Sequence, residues 1–284
     1  MMRDREEILS VLRGNLTVFR KRQEDAKELR RITVQQLIEL LCTEAGAEAE
    51  ACYSLFEGAL PDASGEERLL LCQALSEKDG SNQEKSPLTK LLRVSCMENP
   101  ASRAILAQAN RLGLQIEISS ISGFAQACEE VLDGNSHACL LPLFSTADGK
   151  LYRFYDMMER YDLNILMACD MDTEDGEQSV RYALAGHPSA LRLSEYALPH
   201  LLDFSVTDSG CGCAEEIPLT AKACGAELLQ IDSLPLPFDT GLRRFYFTLQ
   251  MPLSMIPTFQ LYLSLRYPGY ARIGSYPLLP RISL

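Results

Sequence analysis

The sequence predicts an α+β chain with an α/β part, made of a helical N-terminal domain, one α/β lobe and a C-terminal ferredoxin-like domain. Three observations carry this expectation. Apolar residues recur at helical spacing through residues 4–76, helix and strand periods alternate through 91–184, and residues 200–278 read strand, helix, strand, strand, helix, strand. The predicted boundaries are 1–78 for the helical domain, 79–87 for a linker, 88–186 for the lobe and 198–284 for the last domain.

In the first region Ile8, Leu9, Leu12, Leu16 and Phe19 form one apolar stripe. Thr33 with Gln36, and Ser64 with Glu67, have capping-box spacing ahead of the apolar runs 37–41 and 69–71, so about four helices are expected. The basic cluster Arg20, Lys21, Arg22, Lys27, Arg30 and Arg31 is interleaved with Glu24, Asp25 and Glu28, the pattern of a solvated helix face. The stretch EKDGSNQEKSP that follows is polar, is punctuated by Gly and Pro, and lacks an apolar anchor, as a linker does.

Beyond the linker, 91–97 reads as a strand, 100–112 as a helix closed by Gly113, and 114–119 as the next strand. Ser122 is expected to cap a helix from Phe124, and Gly134 to end it. The stretch 124–166 then runs helix, buried strand, loop, helix, buried strand, and 179–184 is a further strand. In the last region the strands fall at 201–207, 227–234, 243–249 and 270–276, and the helices at 214–224 and 253–265. That βαββαβ order is the split βαβ sandwich with an antiparallel sheet.

Composition narrows the function. With 284 residues and 46% hydrophobic content, the chain can fill ordinary cores. A formal charge of −12 and a pI near 4.8 argue against nucleic acid, whose binders cluster Lys and Arg. The opening MMRDREEILS is charged where a signal peptide is apolar, and no apolar run nears the ~18 residues of a membrane span, so a cytoplasmic protein is expected. The 10 cysteines are scattered as small buried residues of a reducing compartment. Cys211 and Cys213 offer two thiolates where a metal centre needs four ligands, and His137, His187 and His200 fall on separate elements. No metal site is expected, and no glycine-rich phosphate loop calls for a nucleotide cofactor.

Phe124, Pro142, Gly149, Tyr155-Asp156 and Tyr161-Asp162-Leu163 stand in the order and at the spacing of the prephenate dehydratases, which this stretch resembles. The resemblance implies a periplasmic-binding-like lobe and a place in aromatic amino acid (phenylalanine) biosynthesis. It implies catalytic positions at Ser102, at Phe144, Ser145 and Thr146, and at Val180 and Arg181. Several identities depart from the family. Phe144, Ser145 and Thr146 follow Pro142-Leu143 where the family has Glu-Asn-Ser, and Val180 replaces the Thr thought to protonate the departing hydroxyl. Only residues 170–178 stand where the family has a second lobe, too few for a βαβ unit of ~30 residues.

Residues 198–284 resemble the ACT domain that follows the dehydratase domain in this family, and Ile273-Gly274-Ser275-Tyr276-Pro277 resembles its closing Gly-Ser-Tyr-Pro. The implied effector site is Gly212, Cys213 and Ala214 at a helix start with Asp232, Ser233 and Leu234 at a strand end. Leu234 replaces an Arg that pairs with a carboxylate. The expectation is therefore a catalytically degenerate, ligand-binding or regulatory relative, taking an aromatic amino acid or prephenate-like molecule and pairing as a homodimer. The alternative is an active dehydratase, or a bifunctional chorismate mutase and dehydratase with the mutase in the N-terminal helices.

Overall fold

The computed structural model describes residues 2–44, 48–79, 91–111, 113–173, 176–188, 198–209, 212–236 and 241–283. The chain divides into two compact units, Met1–Ser81 and Asn82–Leu284. The predicted linker 79–87 lies, apart from Asp79, outside the described residues.

The first unit is helical: α1 (Met2–Glu44), α2 (Ala49–Ala59) and α3 (Gly65–Asp79). The helix break expected at Thr33 does not form. Thr33 Oγ1 donates to Leu29 O at 2.9 Å inside α1, the in-helix alternative open to a threonine. One long helix replaces two, and the described residues of this unit hold three helices rather than four. The core sits at the C-terminal end of α1, where Val34 and Ile38 pack with Cys52, Tyr53, Phe56, Leu71 and Cys72. Leu12, Leu16 and Phe19 of the predicted apolar stripe are not part of it, being 52%, 57% and 58% exposed, and the side chains of Ile8 and Leu9 lie outside the described residues.

The second capping box is realised. Glu67 N donates to Ser64 Oγ at 3.2 Å, and Ser64 N donates to Glu67 Oε2 at 2.7 Å. Glu67 also receives Arg30, which reaches Asp62 as well, so one member of the basic cluster is held structurally. Arg31 pairs within α1 with Glu28. Ser64→Ala should cost about 1 kcal/mol, read as a lower midpoint in thermal unfolding followed by circular dichroism; an unchanged midpoint would contradict the cap.

The second unit is built on one ten-stranded sheet. Its first half comprises β1 (Leu91–Cys96), α4 (Pro100–Arg111), β2 (Gln115–Ser120), α5 (Phe124–Leu132), β3 (Ala138–Ser145), β4 (Gly149–Lys150), α6 (Tyr152–Arg160), β5 (Asn164–Asp172) and β6 (Ser179–Gly186). Its second half comprises β7 (His200–Asp208), α7 (Gly212–Ala223), β8 (Glu227–Pro235), β9 (Arg243–Gln250), a 3-10 turn (Leu253–Met255), α8 (Ile256–Arg266) and β10 (Tyr270–Ile282). The order across the sheet is β2-β1-β3-β6-β5-β10-β7-β9-β8, with β4 folded back on β3.

β1, β2 and β3 are parallel, as α4 and α5 crossovers require. The central strands β3 and β5 are near-continuous apolar runs because both sheet faces are covered. α4 closes one face over Leu92, Val94, Leu140 and Met167, and α5 and α6 close the other over Cys139, Leu141, Ile165 and Ala183. β5 and β6 are antiparallel neighbours joined by residues 173–178, where Gln178 N donates to Thr173 Oγ1 at 3.2 Å. No second lobe stands between them.

One local expectation changes. Ser122 does not cap α5; its N–H and hydroxyl go to Gln126 Oε1, and Gly123 takes the N-cap position. Gly149 turns the chain from β3 into β4 with a positive φ of 74° that a side chain would strain, and α6 begins at Tyr152. Asp162 makes the turn after α6 at φ 51°, a conformation Asp tolerates.

β10, β7, β9 and β8 are antiparallel throughout, in the order 4-1-3-2 of a split βαβ. One face of these strands carries an aromatic core in which Phe204 stacks on Phe247 at 5.1 Å and meets Phe259 of α8. The opposite face carries Asp203, Ser205, Tyr246 and Thr248, and α6 reaches it through Tyr155 and Tyr152. β10 runs past its predicted end because its later residues pair in parallel with β5 while its earlier ones pair with β7. That strand makes one sheet of the two halves. Among the described residues no helix is long and apolar enough to cross a membrane.

Candidate functional site

The positions implied for catalysis lie mostly at the end of β3 and the start of β6, where Phe144 stands opposite Arg181 and Ser145 opposite Val180. Their polar groups are spent on holding the strands. Ser145 Oγ accepts from Ala147 N at 3.1 Å, and Thr146 Oγ1 accepts from Ser179 N at 2.9 Å. Arg181 grips Asp170 of β5 with two bonds, at 2.7 and 3.0 Å. Val180 and Phe144 have no proton to give. Ser102 is buried in a reciprocal cap with Asn99 at the start of α4, its hydroxyl used within that cap.

The positions implied for an effector divide between the two faces of the sheet. Asp208 and Pro235 both stand opposite Arg243, so the start of α7 and the end of β8 share one end of the sheet. Gly212, Cys213 and Ala214 begin α7 on the helical face, with Cys213 N donating to Asp208 Oδ2 at 3.2 Å. Cys211 lies outside the described residues. Asp232 and Leu234 belong to the α6 face. Leu234 packs on the core under α6, and Asp232 accepts from Gln230 Nε2 at 2.7 Å. Ser233 Oγ accepts from Arg243 at 2.8 Å.

The most unusual chemistry lies where Asp232 points, around a residue that sequence reasoning passed over. Lys150 is 5% exposed, and its Nζ has no hydrogen-bond partner. The turn at Gly149 sets it opposite Phe144, and Nζ lies 4.7 Å from the Tyr155 ring centre and 5.3 Å from that of Tyr246. Asp203 of β7 is 1% exposed; its Oδ2 accepts from Tyr276 OH at 3.0 Å and its Oδ1 has no partner. Burial pushes the Lys150 ammonium below its ordinary pKa, and Asp203 and Asp232 pull it back. Burial, then the Asp203 charge, hold the Tyr155 and Tyr276 hydroxyls well above the usual phenol range, and burial with Asp232 lifts Tyr152 to about 12.

Tyr155 and Tyr246 also wall an open groove of about 190 Å³ between α6 and the sheet, with Ser205 on its floor and the Glu159–Arg244 ion pair on its rim. The arrangement is a buried cation and a buried carboxylate, each with an unused hydrogen-bonding atom, behind two aromatic rings. A sequence signal existed for half of it: Asp203 interrupts the apolar strand LLDFSV, where a lone carboxylate has no structural reason to be. Lys150, beside a turn glycine, reads as an ordinary exposed lysine until the fold buries it.

One solved structure agrees with this architecture over two thirds of the chain. A prephenate dehydratase from Streptococcus mutans superposes with a TM-score of 0.53 at 12% identity, over 66% of this chain and 99% of that one. A prephenate dehydratase from Arthrobacter aurescens in complex with L-Phe is similar at 0.49, with 12% identity over 66% of this chain and 90% of that one. A protein described as a novel type of quorum quenching acylase, GqqA, is similar at 0.48, with 15% identity over 66% of this chain and 95% of that one. No family model matches the sequence, and no curated protein matches it significantly. The fold is prephenate-dehydratase-like.

Proposed function

We propose that this chain is a ligand-binding, regulatory relative of the prephenate dehydratases in aromatic amino acid biosynthesis, without the dehydratase reaction. In this reading residues 198–284 are an ACT-type domain and the protein works in the cytoplasm as a homodimer. The observation that carries it is the state of the implied catalytic positions: Phe144 and Val180 offer no proton, while Ser145, Thr146 and Arg181 are occupied within the sheet. Loss of one general acid commonly lowers a rate by ~10²–10⁴, and here the loss coincides with a short hairpin where a closing lobe is needed.

The test is a thermal-shift titration of the full chain against prephenate, chorismate, phenylalanine, tyrosine and tryptophan, with phenylpyruvate measured in the prephenate sample. A ligand confined to the native state at a hundred times its dissociation constant adds about 2.7 kcal/mol, a clear shift. Stabilisation by an aromatic amino acid without phenylpyruvate is expected. Phenylpyruvate in proportion to protein would replace this reading with the active enzyme. Sedimentation at micromolar concentration checks the dimer, and a monomer there would remove it.

A further inference from the structure

We propose that Lys150 and Asp203 form the polar end of a site for an α-amino acid zwitterion, entered from the groove under α6 and walled by the rings of Tyr155 and Tyr246. The inference rests on the reading above that the chain binds a small metabolite, and adds to it a place and a chemistry. Neither residue belongs to the positions implied by the family resemblance.

The argument starts from two unmet demands. A buried ammonium and a buried carboxylate without hydrogen-bond partners are each costly, and native proteins rarely leave such groups alone. Lys150 and Asp203 have opposite charges and are both buried, yet no ion pair joins them, and Lys150 Nζ and Asp203 Oδ1 each stay unpartnered. Had stability alone shaped this spot, the two would meet, or apolar residues would replace them. A separated pair of opposite charges instead matches a guest that carries both charges itself. The guest's carboxylate accepts from Lys150 Nζ, and its ammonium donates to Asp203 Oδ1.

The surroundings support that occupant. Tyr276 donates to Asp203 Oδ2 and so fixes which oxygen stays free. Tyr155 and Tyr246 stand within 5.8 Å of each other, edge to face, and both contact Lys150 and line the groove. Their rings offer a flat side chain the edge and face contacts that aromatic groups prefer. A carboxylate lacking the amine leaves Asp203 unpaired, and an amine lacking the carboxylate leaves Lys150 unpaired. Sites with buried polar groups discriminate strongly against such analogues.

The experiment is isothermal titration of the full chain with L-phenylalanine, L-tyrosine, 3-phenylpropionate and 2-phenylethylamine, repeated on Lys150→Met, Asp203→Asn and Gly212→Ala. Circular dichroism checks each fold. The expected result is that an amino acid binds the native protein, that each one-charge analogue binds at least tenfold more weakly, and that Lys150→Met and Asp203→Asn each lower affinity at least tenfold. Asp203→Asn keeps the shape of the side chain, so the proposal stays testable if Lys150→Met folds poorly. Amino acid binding that survives both substitutions but falls in Gly212→Ala would move the ligand to the start of α7 and overturn this site while leaving the binding function intact. Phenylpropionate binding as well as phenylalanine would overturn the zwitterion, leaving a carboxylate site at most. Absence of amino acid binding to the native protein would overturn this site, while stabilisation by prephenate or chorismate in the thermal-shift titration would leave the binding function standing.

Discussion

Gly274→Val should collapse the stability of residues 82–284, and Gly274→Ala should lower it measurably. Gly274 lies at the point where β10 pairs with two strands at once, opposite Asp203 of β7 and Ile165 of β5. A Cβ built there would stand 2.7 Å from Ile165 Cβ and 2.8 Å from Ile165 O. Backbone on a central strand cannot swing aside, so the strands must separate or the pairing must shift. Overpacking of this kind costs about 1–3 kcal/mol for small additions, and a branched side chain adds more. For a unit of this size each kcal/mol lowers the melting temperature by roughly 2–4 °C. Gly58→Ala is the contrast: it lies inside α2 with nothing within 4 Å of the new methyl, and should stabilise by about 0.5–1 kcal/mol. A Gly274→Ala melting temperature within one degree of the native value would show that β10 and β5 are not joined as described.

Lys150→Met should make the protein more stable while removing ligand binding. The variant keeps the four-atom stem in its packed place and deletes the buried charge. The ammonium gains about 0.5–2 kcal/mol from the two tyrosine faces, against a burial cost of several kcal/mol for an ion without full compensation. Burial therefore wins, and the melting temperature should rise by roughly 2–6 °C. The pH dependence gives the sign an independent check. The folded-state pKa of Lys150 is lowered from its ordinary 10.5, so across the window between the lowered value and about 10.5 the unfolded chain holds a proton that the folded chain has released. Native stability then rises with pH through that window, and the variant, lacking the group, does not share the rise. The gap between variant and native protein should narrow as pH approaches 10.5. A gap that stays constant or widens with pH would contradict a buried, unpartnered Lys150.

The two substitutions test different levels of the same design. Gly274 concerns how two halves of a sheet are held together, and Lys150 concerns what that union buries. Asp203 belongs to both, since it pairs with Gly274 across strands and takes the Tyr276 hydroxyl from the same strand.

Much of this organisation was legible in local patterns. Apolar runs such as ACLLPLFS and NILMACDMD announced strands covered on both faces, glycines at 113 and 134 ended helices at positive φ, and the Ser64–Glu67 spacing produced the reciprocal cap. The βαββαβ order of the last region followed from alternating periods. The spacing of Phe124, Pro142 and Tyr161-Asp162-Leu163 pointed to a prephenate-dehydratase-like fold. Each of these features depends on residues close in sequence, whose geometry the chain settles for itself.

Thr33 had the spacing of a cap but joined a continuous helix, an equally local choice, because its hydroxyl found Leu29 O four residues back without interrupting the backbone ladder. Two outcomes were decided at longer range. β10 outran its predicted end because β5, more than a hundred residues earlier, supplies a second partner for its edge. Lys150 and Asp203, separated by 53 positions in the chain (203 − 150 = 53), became neighbours in one buried polar cluster only when β4 folded onto β3 and α6 crossed to the far half of the sheet. Residue type and spacing suffice for most elements, because those rest on local dihedral preference and hydrophobic period. The burial of a lone charge is a property of everything packed around it, and no local stretch of sequence contains that information.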